Sequence, residues 1–252
     1  MFDFERGAKT TGSNFYFNIA TSAEFEWKLI NRALDFYKGR GHTFVLPPIL
    51  VNKNTATVAG IIPRFEGDFY ETKDEGFLLA PTAETPLVGM HSNEIIDEDS
   101  LPLRYVALTP CFRREAGSSG KKNKGLRRVH QFYKVELFVI CRPENSQDEH
   151  ERLIDLSYEF LSELGLTVRK VELEDVDKSP VSESTIDLEI KYGEDWLEAA
   201  SISNTEDNQS KPALIRYRKS GVKKPVKCHV LNGTGLALPR VMLTMLDLEG
   251  IY

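Results

Sequence analysis

Residues 111–140 read CFRREAGSSGKKNKGLRRVHQFYKVELFVI, and no other stretch restricts the fold so tightly. Its ends alternate with the period of a strand and its middle does not. In Cys111–Glu115 the alternation puts Cys111, Arg113 and Glu115 on one face. In His130–Ile140 it groups Phe132, Glu136, Phe138 and Ile140, opposite Tyr133, Val135, Leu137 and Val139. Between them Gly117, Ser118, Ser119, Gly120, Asn123 and Gly125 mark a loop. The simplest arrangement is a long antiparallel hairpin with a basic, mobile loop.

One face of that hairpin carries Arg113, two carboxylates (Glu115 and Glu136) and an aromatic plate, Phe132. A carboxylate among Phe132 and Phe138 loses solvation and needs a donor to stay charged. The planar donors of Arg113 can grip a phosphate and a carboxylate together. Phe132 offers a flat surface for a base. Such a face suits a nucleotide and an acid reacting on a sheet. The plainer alternative is a solvated hairpin with surface ion pairs, each worth only about 0–1 kcal/mol.

The rest of the chain reads as alternating short elements. Asn14–Asn18 predicts a strand, and Ser22 a helix N-cap. Trp27, Ile30, Leu34 and Tyr37 recur at helical spacing as a buried stripe, stopped by Gly39 and Gly41. Phe44–Leu46 reads as a strand running into Pro47 and Pro48, and residues 52–76 as a helix and loop with a short strand at Phe69–Glu71. Phe77–Ala80 is a strand before Pro81, and Thr82 with Glu84 has the form of an N-terminal cap. Ser146 with Glu149 predicts a capping box for a helix that buries Leu153, Leu156, Phe160 and Leu164 and ends at Gly165. Strands follow at Thr167–Leu173, Ile186–Lys191, Trp196–Ser203, Pro212–Lys219 and Lys227–Leu231. Gly233 and Gly235 break the last one, before a helix over Leu236–Leu248.

Strands outnumber helices, and most strand-to-strand links are too short for parallel crossovers. The expected fold is α+β, an antiparallel β-sheet flanked by helices. The 252 residues show no internal repeat or linker and predict a single domain over 1–252. There is no apolar run of the roughly 20 residues that span a membrane, so no membrane association is expected. Cys111, Cys141 and Cys228 are odd in number and far apart, which fits a reducing cytoplasm. The formal charge of −6 argues against a generally basic coat, but basic residues crowd the hairpin, and Lys211, Arg216, Arg218, Lys219, Lys223, Lys224 and Lys227 form a second cluster. No G-x-G-x-x-G or G-x-x-x-x-G-K-[ST] run is present, against a Rossmann or P-loop nucleotide site.

Four ordered segments carry a family resemblance. The hairpin resembles motif 2 of class II aminoacyl-tRNA synthetases, in the form found in seryl-tRNA synthetases. LAPTAETP at 79–86 is similar to that family's Thr-x-Glu loop, EAASISN at 198–204 to its metal-binding strand, and NGTGLALPR at 232–240 to its motif 3. Helix, glycine, strand and Pro48 over about 22–50 resemble motif 1, the family's dimer interface. Motif 2 then spans about 111–140 and motif 3 about 232–248.

The resemblance implies the class II catalytic-domain type of α+β fold and ATP-dependent activation of serine to seryl-adenylate. On that basis Arg113 bridges the α-phosphate and the substrate carboxylate, and Glu115 accepts from the adenine amino group. Phe132 stacks on one adenine face and Arg240 covers the other. Glu198 and Ser201 hold Mg²⁺, a hard ion suited to such oxygens. Thr82 and Glu84 lie by the substrate amino group, Glu136 and Thr234 bind the serine hydroxyl, and Asn232 holds its loop in shape. Partners implied are serine, tRNA(Ser) and a second copy of the chain through motif 1. No nucleophile has to be generated, so the absence of a Ser-His-Asp or Cys-His arrangement is consistent with this chemistry.

The family's N-terminal coiled-coil arm has no counterpart in this sequence, whose start, DFERGAK, resembles the opening of the catalytic domain. Lys121, Lys122 and Asn123 stand where relatives often carry an acid and a threonine, and Ile202 replaces a cysteine. These departures bear on tRNA transfer more than on activation. Three readings share the site: a seryl-tRNA synthetase catalytic domain, a paralogue that activates an amino acid for another acceptor such as a carrier protein, and a non-catalytic binding or regulatory paralogue.

Overall fold

Leu103–Phe112 and Gln131–Cys141 form the antiparallel hairpin required by the alternation, with Cys111 opposite Phe132 and Ala107 opposite Glu136. The structure, a computed structural model, describes residues 1–62, 67–115 and 125–248. The basic loop with Lys121, Lys122 and Lys124 falls at 116–124, outside the described residues.

In chain order the first elements are β1 (Phe2–Asp3), α1 (Phe4–Thr10), β2 (Phe17–Asn18), α2 (Thr21–Gly39), β3 (Thr43–Val45), β4 (Leu50–Val51) and α3 (Lys53–Val58). Next come β5 (Leu78–Leu79), α4 (Glu84–Met90), β6 (Ile95–Asp97), β7 (Leu103–Phe112), β8 (Gln131–Cys141) and α5 (Ser146–Glu163). The last part holds β9 (Val168–Glu172), β10 (Ser184–Tyr192), β11 (Asp195–Glu206), α6 (Ser210–Ala213), β12 (Arg216–Arg218), β13 (Val226–Lys227), β14 (His229–Ala237) and α7 (Leu238–Leu248).

The main sheet has seven strands in the order β3-β7-β8-β14-β11-β10-β9. Its neighbours are antiparallel except β3 with β7, which run parallel. This edge departs from the all-antiparallel expectation. The link from Val45 to Leu103 is long enough for the crossover that the later, shorter links forbid.

The alternation in β8 divides the core. Val135, Leu137 and Val139 pack in a cluster with Ile30, Leu34 and Tyr37 of α2, Leu153 and Phe160 of α5, and Val241 and Met242 of α7. Phe138 and Ile140 belong to a second cluster with Ala56 and Val58 of α3 and Leu87 and Val88 of α4. Phe132, Lys134 and Glu136 share the face of Phe138 and Ile140. One end of that face is therefore apolar and covered by helices, and the other end is polar.

Several local expectations are corrected. Trp27 is 58% exposed and stands outside the buried stripe; it borders an open groove with Phe17 and Tyr133. The Ser22 hydroxyl does not cap α2 but donates to Ile19 O at 3.0 Å. The first predicted strand shrinks to Phe17–Asn18, because Asn14 adopts a left-handed φ of 61°. The predicted Phe69–Glu71 strand is only an isolated bridge, Glu71 with Leu78. Pro212–Lys219 divides into α6 and the short β12. The capping box does not form: Ser146 Oγ donates to Pro143 O, and Glu149 accepts both forks of Arg104. A buried carboxylate gains more from a guanidinium than from a backbone N–H. Gly165 ends α5 at φ +81°, as its sequence position predicts. Gly233 and Gly235 do not break the last strand, since β14 runs through both.

Candidate active site

The polar end of the β8 face is the floor of a cavity of about 400 Å³. Thr82, Glu84, Arg113, Glu115, Glu136, Glu198, Ser201, Asn232 and Thr234 all line it. A smaller cavity of about 70 Å³ adjoins it, shares Arg113, Glu115 and Glu198, and adds Phe132 and Arg240. All eleven residues singled out in the sequence therefore line two adjoining spaces.

At the small cavity, Arg113 follows the end of β7, where its N–H still pairs with His130 O at 2.9 Å. His130 Nδ1 lies 3.0 Å from Arg113 O, so the histidine braces the hairpin. The guanidinium donates to Pro81 O at 3.3 Å and sits 5.4 Å from the Phe132 ring centre. Glu115 has a φ of 54°, a strained conformation for a side chain of this kind, and its carboxylate pairs with Arg128. Arg240, near the start of α7, donates to Glu198 O at 2.7 Å and pairs with Glu198 Oε2 at 3.3 Å.

Glu198 and Ser201 meet through a bulge. Simple alternation places residues three apart on opposite faces of a strand. Here Ala200 is opposite Leu188 but Glu198 is opposite Glu189, leaving Ala199 as the extra residue. Glu198 and Ser201 consequently project into the same cavity. Asp187, opposite Ser201, accepts from its side chain, and its Oδ1 is buried without a hydrogen-bond partner. Burial first, then the nearby Glu198 and Glu189, push the Asp187 carboxyl up to about 6. A carboxylate, a hydroxyl and an unsatisfied carboxyl oxygen form a set of hard donors that fits a divalent cation.

The other end of the large cavity holds two buried carboxylates. Glu136 is 2% exposed and pairs with Lys134. Lys134 Nζ also donates to Thr82 Oγ1 at 3.0 Å. Burial raises the Glu136 carboxyl, opposed by Lys134. Thr234 stands opposite Glu136 in the register, so the two face the same space. Burial, then the charge of Glu136, push Glu84 up to about 7. Its Oε1 accepts from Gln209 Nε2 at 2.5 Å and Asn232 Nδ2 at 3.0 Å. Asn232 therefore acts from within a strand and braces a carboxylate, where the sequence suggested the shaping of a loop. Thr82 Oγ1 accepts from Glu84 N at 3.3 Å, but α4 has Ala83 as its N-cap with no side-chain bond, so Thr82 does not cap it and instead lines the cavity.

The glycines of β14 approach the core, not the cavity. A Cβ on Gly235 would lie 2.8 Å from Tyr37 Cε2, and one on Gly233 would lie 3.0 Å from Ile202 Cγ1.

Sequence reasoning missed three residues. Lys134 is one of the basic residues that crowd the hairpin, and its place between Phe132 and Glu136 in the alternation is the available signal. Asp187 is brought in by cross-strand pairing with Ser201 and Gln209 by a distant contact, and neither carries a local signal.

The seven-stranded sheet carries a two-part site on one face. The family described as tRNA synthetase class II core domain (G, H, P, S and T) matches residues 65–249. The chain belongs to that family. A serine–tRNA ligase of Thermodesulfovibrio yellowstonii is 44% identical over 254 residues, which are 98% of this chain and 59% of the relative. That of Geobacter sulfurreducens is 43% identical over 251 residues, again 98% and 59%. The crystal structure of seryl-tRNA synthetase from Pyrococcus horikoshii complexed with ATP superposes with a TM-score of 0.95 at 40% identity, over 98% of this chain and 56% of that one. The chain spans 59% of the length of these two curated relatives.

Proposed function

We propose that this site activates serine with ATP to give seryl-adenylate, and that the whole protein transfers the seryl group to tRNA(Ser). The observation that carries this reading is the joining of a small cavity bearing Phe132 and Arg240 to a larger one bearing Glu84 and Glu136, with Arg113, Glu115, Glu198 and Thr234 common to both. The relatives named above are serine–tRNA ligases, and one related structure is complexed with ATP.

In this mechanism adenine stacks on Phe132, Glu115 accepts from its amino group, and Arg240 covers the opposite face. A serine carboxylate oxygen attacks the α-phosphorus, and the bond to the β-phosphate bridge breaks. Pyrophosphate leaves with that electron pair, and no proton is transferred. Arg113 bridges the carboxylate and the α-phosphate and offsets their repulsion. Glu198 and Ser201 would hold Mg²⁺, which would supply positive charge beside the departing phosphates. Thr82 and Glu84 hold the ammonium group. Glu136 and Thr234 bind the hydroxyl, and alanine would leave them unsatisfied, which disfavours it. Lys134, paired with Glu136, opposes the burial that raises its carboxyl.

We take residues 1–252 as one catalytic domain built on the shared sheet, and the motif 1 segment as a homodimer contact. Trp27, Phe44, Leu46 and Leu50 are exposed apolar residues of that segment, which a second copy would cover. Cys111, Cys141 and Cys228 are unpaired and buried, which accords with a cytoplasmic setting. Among the described residues no helix is long and apolar enough to cross a membrane.

Direct detection of the adenylate tests the activation step. Protein mixed with ATP, Mg²⁺ and all twenty amino acids is expected to accumulate seryl-adenylate, read by mass spectrometry. A different aminoacyl-adenylate would overturn the serine assignment.

A further inference from the structure

Gln209 lies outside the recognised motifs, in a polar segment before α6, yet it is fully buried. Its amide is completely used. Nε2 donates to Glu84 Oε1 at 2.5 Å and to Ala59 O at 3.0 Å, and Oε1 accepts from Thr205 Oγ1 at 3.2 Å. Thr205 Oγ1 is itself fixed, 2.8 Å from Val230 O on the neighbouring strand. Gln209 thus ties a strand-anchored hydroxyl, a cavity carboxylate and the Ala59–Gly60 segment, which lines the same cavity. Gly60 in turn sits against Val181, where a Cβ would come within 2.4 Å of Val181 Cγ1.

The donors around Glu84 are distributed unequally. Among the described residues Gln209 and Asn232 both donate to Oε1, and Oε2 accepts from neither. A carboxylate held by one oxygen has its other oxygen available in a fixed place. We propose that Gln209 is a positioning residue for amino-acid recognition, fixing Glu84 through Oε1 so that Oε2 receives the substrate ammonium, and fixing the Ala59–Gly60 wall at a constant distance from it. This rests on the assignment of Glu84 to the serine amino group made above.

The electrostatics support the geometry. Glu84 faces Glu136 and Lys134 from β8 and Arg113 beyond β7, with Gln209 and Asn232 as neutral donors. Burial and Glu136 favour its protonated form, and Gln209, Lys134 and Arg113 favour the ionised form. Removing the Gln209 donor therefore leaves Glu84 ionised only at higher pH, and only the ionised form pairs with an ammonium.

The test is pyrophosphate exchange by the whole chain, with KM for serine and for ATP measured across pH 6–9 for wild type and Gln209→Met. Methionine nearly keeps the volume and removes both donors. The expected result is a serine KM raised by about tenfold or more, as for loss of a hydrogen bond to a charged group, with the ATP KM unchanged. The pH above which serine binds well is expected to move upward. Equal rises in both KM values would reduce Gln209 to a structural role and overturn the proposal, as would an unchanged serine KM and pH profile. Should Gln209→Met not fold, Thr205→Val leaves both donors but frees the Gln209 carbonyl oxygen; a smaller, serine-selective rise supports the proposal, and no change overturns it. Wild-type protein that shows no serine-dependent exchange would instead sink the underlying serine assignment, and is thereby told apart from failure of the Gln209 role alone.

Discussion

Glu84 and Glu136 are carboxylates set where water is scarce, and each has a neighbouring donor that opposes the effect of burial. For Glu84 this has a consequence for stability. Its folded-state carboxyl is pushed up to about 7, above the ordinary glutamate value, so the folded protein keeps a proton that the unfolded chain releases. This contribution to stability is present at low pH and is lost as pH rises through the window from the ordinary value to about 7. Thermal melts of wild type and Glu84→Gln across that window are expected to diverge, with wild type losing stability relative to the variant as pH rises. Parallel melting curves would show that Glu84 stays ionised in the folded protein. The eleven candidate residues were legible because ordered motifs carry them and strand alternation groups several on one face. Gln209 was not legible, because a contact between residues 84 and 209 leaves no local pattern.

At the scale of elements, two bulges shape the site. The extra residue Ala199 in β11 turns Glu198 onto the face of Ser201. In β14 the register shifts between Thr234 and Leu236, so Gly235 is the extra residue, and its carbonyl accepts from Tyr37 OH at 2.9 Å. Tyr37 is fully buried and has little room to yield. Gly235→Ala is therefore expected to cost about 1–3 kcal/mol, the usual penalty for overpacking a core, measured by urea unfolding. Stability equal to wild type would mean that α2 moves freely against the sheet. Sequence reasoning read these glycines as the end of a strand, since a bulge and a break carry the same glycine signal. The Ser146 capping box failed for a related reason. A distant partner, Arg104, holds Glu149 more strongly than the local backbone does.

For the molecule as a whole, the antiparallel hairpins followed from short links, while the parallel β3–β7 edge depended on a long connection whose path no local pattern specifies. The exposed Trp27 similarly marks where the helical stripe stops being core within one chain. If motif 1 pairs two copies, sedimentation at micromolar concentration will give twice the 28.6 kDa chain mass. A monomer would contradict that role for the Trp27 surface.

The most direct test of the central claim is amino-acid-dependent exchange of pyrophosphate into ATP in the presence of Mg²⁺, compared for serine, alanine and the remaining amino acids. The two-part site predicts exchange with serine and little with alanine, which cannot satisfy Glu136 and Thr234. Exchange with alanine as fast as with serine, or none with serine from folded protein that binds ATP, would contradict it.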